Sequence, residues 1–187
     1  MPLPGGATDK FGNRYEGLWT VARMADILDE RADSIRLEPP GIEGDGVEFW
    51  LRKGNIREYH QVKRQHSASG RWTLADLAAQ GILTHFWEKL NDLTAHCVFV
   101  STHAAFQLDE LADRARRSAS WEEFHRAFLS TKQQSDTFDE LCQRLGGYTQ
   151  EVTYHALKRV FVETVSENLL RSTVESRVTV LVEGEPS

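Results

Sequence analysis

The chain has 187 residues, of which 40% are hydrophobic and 27% charged, and its formal net charge is -6. These values are typical of a globular protein with one substantial core, and no apolar run approaches the roughly 20 residues that a membrane-spanning helix needs. The negative charge excludes a general nucleic-acid coating protein, because nonspecific binding depends on lysine and arginine neutralising phosphates. The cysteines, Cys97 and Cys142, have neither metal-like nor disulfide-framework spacing, so we expect a cytoplasmic protein.

The first half of the chain predicts a mixed α/β fold. Apolar residues at helical intervals from about 15 to 33 predict a first helix. Strands should follow at residues 34–37, 47–52 and 58–64. Thr73 is the expected N-cap of a helix from about 74 to 93, and the continuous apolar run at 96–101 predicts a buried strand. This order of elements predicts a mixed central sheet flanked by helices.

From about residue 107 the pattern indicates helices only. We expect them at residues 108–117, 120–130, 137–145 and 153–165, with one more beginning near Ser166. The sequence therefore divides into an α/β core at residues 1–105 and an all-helical extension at residues 106–187. We expect the extension to lead into a further domain.

Two short segments of the predicted sheet carry side chains suited to phosphodiester hydrolysis. Asp45 lies in a Gly-Asp-Gly turn before one strand, and Gln61-Val62-Lys63 ends the next. Residues two apart in a strand face the same way, so Gln61 and Lys63 should project together while Val62 points into the core. A divalent ion held by Asp45 and the Gln61 amide oxygen would bind a phosphate, and Lys63 would stabilise the charge developing in the transition state.

Further side chains near these segments are candidates for metal and DNA contacts. The Val62 carbonyl and the Glu16 carboxylate, on the first helix, are additional metal ligands, with Glu43 and Glu48 as local substitutes. A local excess of basic residues predicts contacts to DNA phosphates from Arg52, Lys53, Arg64, His66 and Arg71. The alternative for these cations is a solvated face of an edge hairpin.

The combined pattern resembles the PD-(D/E)xK nuclease superfamily, which has the restriction-endonuclease-like fold. More narrowly, it resembles the N-terminal nuclease domains of bacterial antiphage proteins that also carry a STAND-type NTPase or a nucleotide-sensing domain. The motifs that carry this resemblance are Gly5-Gly6, Phe11-Gly12-Asn13-Arg14-Tyr15-Glu16, Gly44-Asp45-Gly46-Val47-Glu48 and Tyr59-His60-Gln61-Val62-Lys63. It covers about residues 5–105. It implies that Asp45 is the metal-binding acid, that Gln61 and Lys63 are the ends of the catalytic triplet, and that Glu16 is the helix-borne acid.

The resemblance also implies an activity and partners. We expect a Mg²⁺-dependent endonuclease, with Mn²⁺ as a possible substitute, that cuts double-stranded DNA as the effector of an antiviral defence protein. Homo-oligomers should form through the domain itself or through a fused NTPase or sensor. Gln61 departs from the usual acid at its position, and a neutral amide supplies less charge to a cation. Two alternatives therefore stay open: a catalytically inactive module that keeps the fold to bind DNA or to oligomerise, and an RNA nuclease.

Overall fold

The computed structural model describes residues 6–64 and 70–183, with the side chains of residues 14–41, 43–64 and 70–177. Its centre is a five-stranded sheet in the order β1-β2-β3-β4-β5. The strands are β1 (Ser34–Leu37), β2 (Phe49–Lys53), β3 (Ile56–Lys63), β4 (Ala95–Ser101) and β5 (Val160–Thr164). The pairs among β1, β2 and β3 are antiparallel, whereas β3, β4 and β5 run parallel. The predicted mixed sheet is confirmed.

Helices cover both faces of this sheet. They are α1 (Gly6–Leu28), α2 (Leu74–Ala79), α3 (Ile82–Lys89), α4 (Phe106–Arg117), α5 (Trp121–Glu123), α6 (Lys132–Leu145), α7 (Gln150–Leu157) and α8 (Glu167–Glu183). Among the described helices, none is both long and apolar enough to span a lipid bilayer.

The sheet separates two hydrophobic cores. One core lies between the sheet and α2, α3, α4, α6 and α7, and includes Tyr59 and Phe99. The other lies between the sheet and the α1–α8 pair, and includes Phe49 and Val62. Because side chains alternate along a strand, Gln61 and Lys63 share the orientation of Tyr59, and Val62 points into the opposite core as predicted.

The helix predicted at residues 74–93 is interrupted. The structure has α2 and α3 in its place, separated at Gly81, whose φ of +73° belongs to the left-handed region that glycine adopts without a steric penalty. The N-cap prediction at Thr73 is confirmed: its hydroxyl accepts the Asp76 amide at 3.2 Å, and the Asp76 carboxylate accepts the Thr73 amide at 3.0 Å. Both bonds satisfy amides that the first helical turn leaves unpaired.

The prediction of an all-helical segment after residue 106 is wrong at residues 160–164. The helix expected at 153–165 ends at Leu157, and the chain continues as β5 parallel to β4. The segment Val-Phe-Val-Glu-Thr is rich in β-branched and aromatic residues, which favour a pleated, half-buried strand. Pairing with β4 also satisfies backbone groups that would otherwise remain open at the edge of the sheet. The second half of the chain therefore contributes a strand to the same sheet.

Candidate active site

The candidate site lies where β2 and β3 separate. The last paired residues are Phe49 and His60, and the Glu48 amide still donates to the His60 carbonyl at 2.9 Å. Before Glu48 the chain turns away, with the Val47 amide bonded to the Gly44 carbonyl at 3.1 Å. The end of β3 therefore extends beyond its neighbour, and its polar groups face Glu48, the residue that precedes β2.

The Glu48 carboxylate is the point on which the triplet converges. Its Oε1 accepts a hydrogen bond from Gln61 Nε2 at 2.8 Å and lies 3.5 Å from Lys63 Nζ. Its Oε2 accepts the Val62 amide at 3.1 Å. Glu48 thus contacts each of the three residues of the triplet, and an ammonium, an amide and a carboxylate meet at one point.

Burial governs the acidity of this carboxylate. Desolvation raises the pKa of Glu48 from 4.5 to about 7, against the opposing effects of the Lys63 charge and the Val62 amide, and the charge of Glu16 raises it further. Burial likewise raises the pKa of Glu16, while Lys63 lowers it and Glu38 raises it. The charge of Lys63 lowers the pKa of both Glu48 and Glu16, so both carboxylates lie near the carboxyl end of β3.

Asp45 is placed differently from the sequence prediction. Its side chain is exposed, and across the described residues no hydrogen bond or ion pair joins it to Gln61 or Lys63. The turn that carries it is held close to α3, since a Cβ on Gly46 would come within 2.3 Å of the His85 ring. Of the two acids in the segment, Glu48 is the one that contacts the triplet.

Strand register is a sequence signal that points to Glu48, which was expected above only as a substitute ligand. In two antiparallel strands joined by the turn at 53–55, Glu48 falls opposite Gln61, and directly opposed residues project to the same face. Strand register therefore favours Glu48 over Asp45, which lies in the preceding turn.

The donor set that a metal ion could use at this site is small. Within residues 6–64 and 70–183, no group of three or more histidine, cysteine, aspartate or glutamate side chains is spaced to hold a metal ion. The oxygen atoms available are the carboxylates of Glu48 and Glu16 and the amide of Gln61, whose Nε2 is already engaged by Glu48. Mg²⁺ is commonly held by one or two carboxylates and retains several waters, so Glu48 and Glu16 are the residues that could hold such an ion here. The metal-ligand role of the Val62 carbonyl stays a prediction.

The cations predicted to contact DNA fall into two groups. Arg52 and Lys53 lie at the β2–β3 turn, and β3 spans eight residues, so about 23 Å separates that turn from Lys63. Lys53 is paired with Glu58 at 2.9 Å. Arg64 directly follows Lys63, whereas His66 lies outside the described residues. The DNA contacts of these side chains stay predictions.

Arg64 belongs to a second polar cluster at the same edge of the sheet. Its Nε donates to Glu167 at 2.9 Å, and the same carboxylate binds Arg14 of α1. Arg64 and Glu167, with Thr102 and His103, line a cavity of about 380 Å³. The hydrogen bonds of Arg64 and Arg14 hold the pKa of Glu167 below its ordinary value. Sequence reasoning did not find Glu167, which is far from the triplet in the chain.

His60 points to the face of the sheet opposite Gln61 and has a structural role. It is 2% exposed, its ring stacks on Phe49 with 4.6 Å between centroids, and its Nδ1 accepts Trp19 Nε1 at 3.2 Å. Burial lowers its pKa, which favours the neutral ring. This residue anchors α1 to the sheet.

No protein-family model matches this chain, and no curated protein matches it either. The fold and the site geometry therefore carry the functional argument.

Proposed function

We propose that this protein is a metal-dependent DNA endonuclease of the PD-(D/E)xK type, in which Glu48 takes the acidic position that the sequence analysis gave to Asp45. The observation that carries the proposal is the convergence of Gln61, Val62 and Lys63 on the Glu48 carboxylate, at the end of a parallel strand. In open α/β sheets, ligands bind outside the carboxyl ends of strands.

Each residue of the cluster has a role in this proposal. Bound Mg²⁺ would neutralise phosphate charge and lower the pKa of a water. Glu48 and Glu16 would hold the ion, with the Gln61 amide oxygen as a neutral ligand. Lys63 would donate to a non-bridging phosphate oxygen and stabilise the negative charge that grows in the transition state. Its ion pair with Glu48 keeps the ammonium at the point where the phosphate would lie.

The biological setting is part of the same proposal. We infer a cytoplasmic effector of bacterial antiviral defence, in which assembly of several nuclease domains controls the cutting of double-stranded DNA. The motif resemblance of residues 5–105 supports this setting. The net charge of -6 also supports the idea that cutting depends on assembly, because a single chain with this charge has little general attraction for DNA.

A plasmid-cutting assay with Lys63→Ala tests the activity. With Mg²⁺, we expect the substitution to slow cutting by about 100-fold or more, because it removes the cation nearest the proposed phosphate position. Arg117→Ala is the matched control, since Arg117 is 70% exposed in the last turn of α4 and is paired with Asp113. It should leave the rate nearly unchanged. Equal cutting by wild type and Lys63→Ala would remove the assigned site.

A catalytically inactive DNA-binding or oligomerisation module is the second candidate. It is favoured by the hydrogen bond and ion pair that Gln61 and Lys63 already make with Glu48, which satisfy the polar groups without a metal. Such a module would bind DNA without any Mg²⁺-dependent hydrolysis. An RNA nuclease would instead cut RNA in preference to DNA of the same sequence.

A further inference from the structure

Phe106 is an aromatic side chain in an unusual position. It is the first residue of α4 and is 68% exposed, whereas the nearby Trp72 and Phe99 are buried. Phe106 lines two cavities of about 250 Å³ each, and Gln107 and Gln133 also line both cavities. An exposed aromatic ring and two amide side chains are thus shared by both recesses.

The polar groups around the ring suit the edges of a nucleobase. Gln107 Oε1 accepts the Leu74 amide at 3.2 Å, and this bond orients the Gln107 Nε2 group. Gln133 lies in the first turn of α6 and is exposed. Amides offer both a donor and an acceptor, which is the combination that base edges require. Arg71, which lines one of the cavities, adds a positive charge.

This surface is linked directly to the candidate active site. Ser101, the last residue of β4, is in register with Lys63 on β3, and its hydroxyl accepts Trp72 Nε1 at 2.8 Å. Trp72 lines the cavity next to Phe106. From Ser101 to Phe106 the chain spans at most about 18 Å. Lys63 is one strand further, about 4.8 Å from Ser101, so Phe106 lies within about 23 Å of Lys63. About seven nucleotides cover this distance at the 3.4 Å spacing of a stacked strand, and fewer are needed in an unstacked one.

We propose that Phe106 is a stacking platform for an unpaired base of the DNA strand that is cut, with Gln107 and Gln133 contacting the edge of that base. A base inside a duplex has both faces covered by its neighbours, whereas an unstacked base offers a face to an aromatic side chain. The inference rests on the proposed nuclease function and deepens it, because it assigns a substrate with a locally opened or single-stranded segment near the scissile bond.

The test is DNA binding by the full chain in EDTA, which prevents cutting. Fluorescence anisotropy with labelled single-stranded DNA should show about tenfold weaker binding for Phe106→Ala, because base–aromatic stacking is lost. Phe106→Trp should retain the affinity. In a strand containing 2-aminopurine, stacking should quench the fluorescence with wild type and not with Phe106→Ala.

Leu93→Ala is the matched control, since Leu93 is 82% exposed and precedes β4, at the opposite edge of the sheet. It should bind DNA like wild type. Unchanged binding by Phe106→Ala, or an equal loss with Leu93→Ala, would overturn the inference. Tighter, Phe106-dependent binding of RNA of the same sequence would also overturn it, because the assigned substrate is DNA.

The binding assay and the cutting assay test the stacking inference and the nuclease proposal independently. If Phe106→Ala binds normally while cutting still requires Lys63, the stacking inference falls and the nuclease proposal stands. If Phe106 is needed for binding but no variant or wild type cuts DNA with Mg²⁺, hydrolysis falls and base binding stands.

Discussion

The surroundings of Glu48 oppose the ionisation of its carboxyl group. Its side chain is only 14% exposed, and burial raises its pKa to about 7, although Lys63 and the Val62 amide stabilise the charged form. A divalent ion would add positive charge at the same place and favour ionisation. The residue is therefore suited to exchange a proton for a metal ion near neutral pH.

The raised pKa predicts how stability depends on pH. Since the pKa of Glu48 is 4.5 in the unfolded chain and about 7 in the folded one, the folded state binds the extra proton between these values. The free energy of unfolding should therefore fall as the pH rises from about 4.5 to about 7, by about 2 to 3 kcal/mol from this residue. Urea denaturation across this range should show the decrease in wild type and a flatter profile in Glu48→Gln.

Glu151→Gln is the control for this measurement, because Glu151 is exposed on α7. Its profile should match that of wild type. Identical pH profiles for wild type and Glu48→Gln would contradict the raised pKa of this buried carboxylate. Added Mg²⁺ should stabilise wild type more at pH 8 than at pH 6, because the ion competes with the proton for Glu48.

The sequence predicted the orientations of the triplet residues, but it did not show which acid contacts them. Gln61, Lys63 and Val62 have the orientations expected from strand alternation, because that rule depends only on the backbone. The acid could not be chosen in the same way. Asp45 and Glu48 are both local, and the choice depends on where β2 begins and where the chain turns.

At the scale of elements, α8 fixes α1 against the sheet through charged contacts. Arg177 of α8 donates to the Ala22 carbonyl at 2.8 Å and to Asp26 at 3.0 Å, and Asp26 is 4% exposed. Glu167, at the start of α8, binds Arg14 of α1 and Arg64 after β3. Because α1 carries Glu16, these contacts also hold one of the candidate metal ligands in place.

Arg177→Met should measure the strength of this attachment. The substitution leaves a buried carboxylate with fewer partners, so we expect the free energy of unfolding to fall by about 2 kcal/mol. Arg171→Met, on the same helix, is the matched control. Arg171 is 45% exposed and lies 3.7 Å from Glu167, so its loss should cost less than about 0.5 kcal/mol. Equal effects in urea denaturation would argue against a buried anchor at Arg177.

Short sequence patterns predicted helices and strands correctly where contacts with distant parts of the chain did not decide the structure. The strand at 34–37 has the expected bounds, because Pro39 and Pro40 limit it in any context. The segment at 160–164 was assigned to a helix, since its short apolar run fits either structure and only pairing with β4 decides between them. Gly81 lies inside the helix predicted at 74–93, and the pattern of apolar residues alone did not show that its φ is left-handed and ends the first helix there.

At the scale of the whole molecule, polar groups collect at one edge of the sheet. The parallel strands β3, β4 and β5 all end there, with Lys63, Ser101 and Thr164 in neighbouring positions. The Glu48–Gln61–Lys63 cluster, the Arg64–Glu167 cavity and the Phe106 surface follow these strand ends or the helix starts next to them. The shared direction of β3, β4 and β5 explains why these groups lie together. The sequence alone could not predict the full arrangement, because β5 was expected to be part of a helix.

The account depends most on the assignment of Glu48 rather than Asp45 as the acid that acts with Gln61 and Lys63. Mg²⁺-dependent plasmid cutting by Glu48→Gln and Asp45→Asn, both isosteric, tests this assignment directly. We predict that Glu48→Gln cuts at least about 100-fold more slowly than wild type, because the metal and Lys63 lose their carboxylate, and that Asp45→Asn cuts at nearly the wild-type rate. Normal cutting by Glu48→Gln together with loss of cutting by Asp45→Asn would contradict the account.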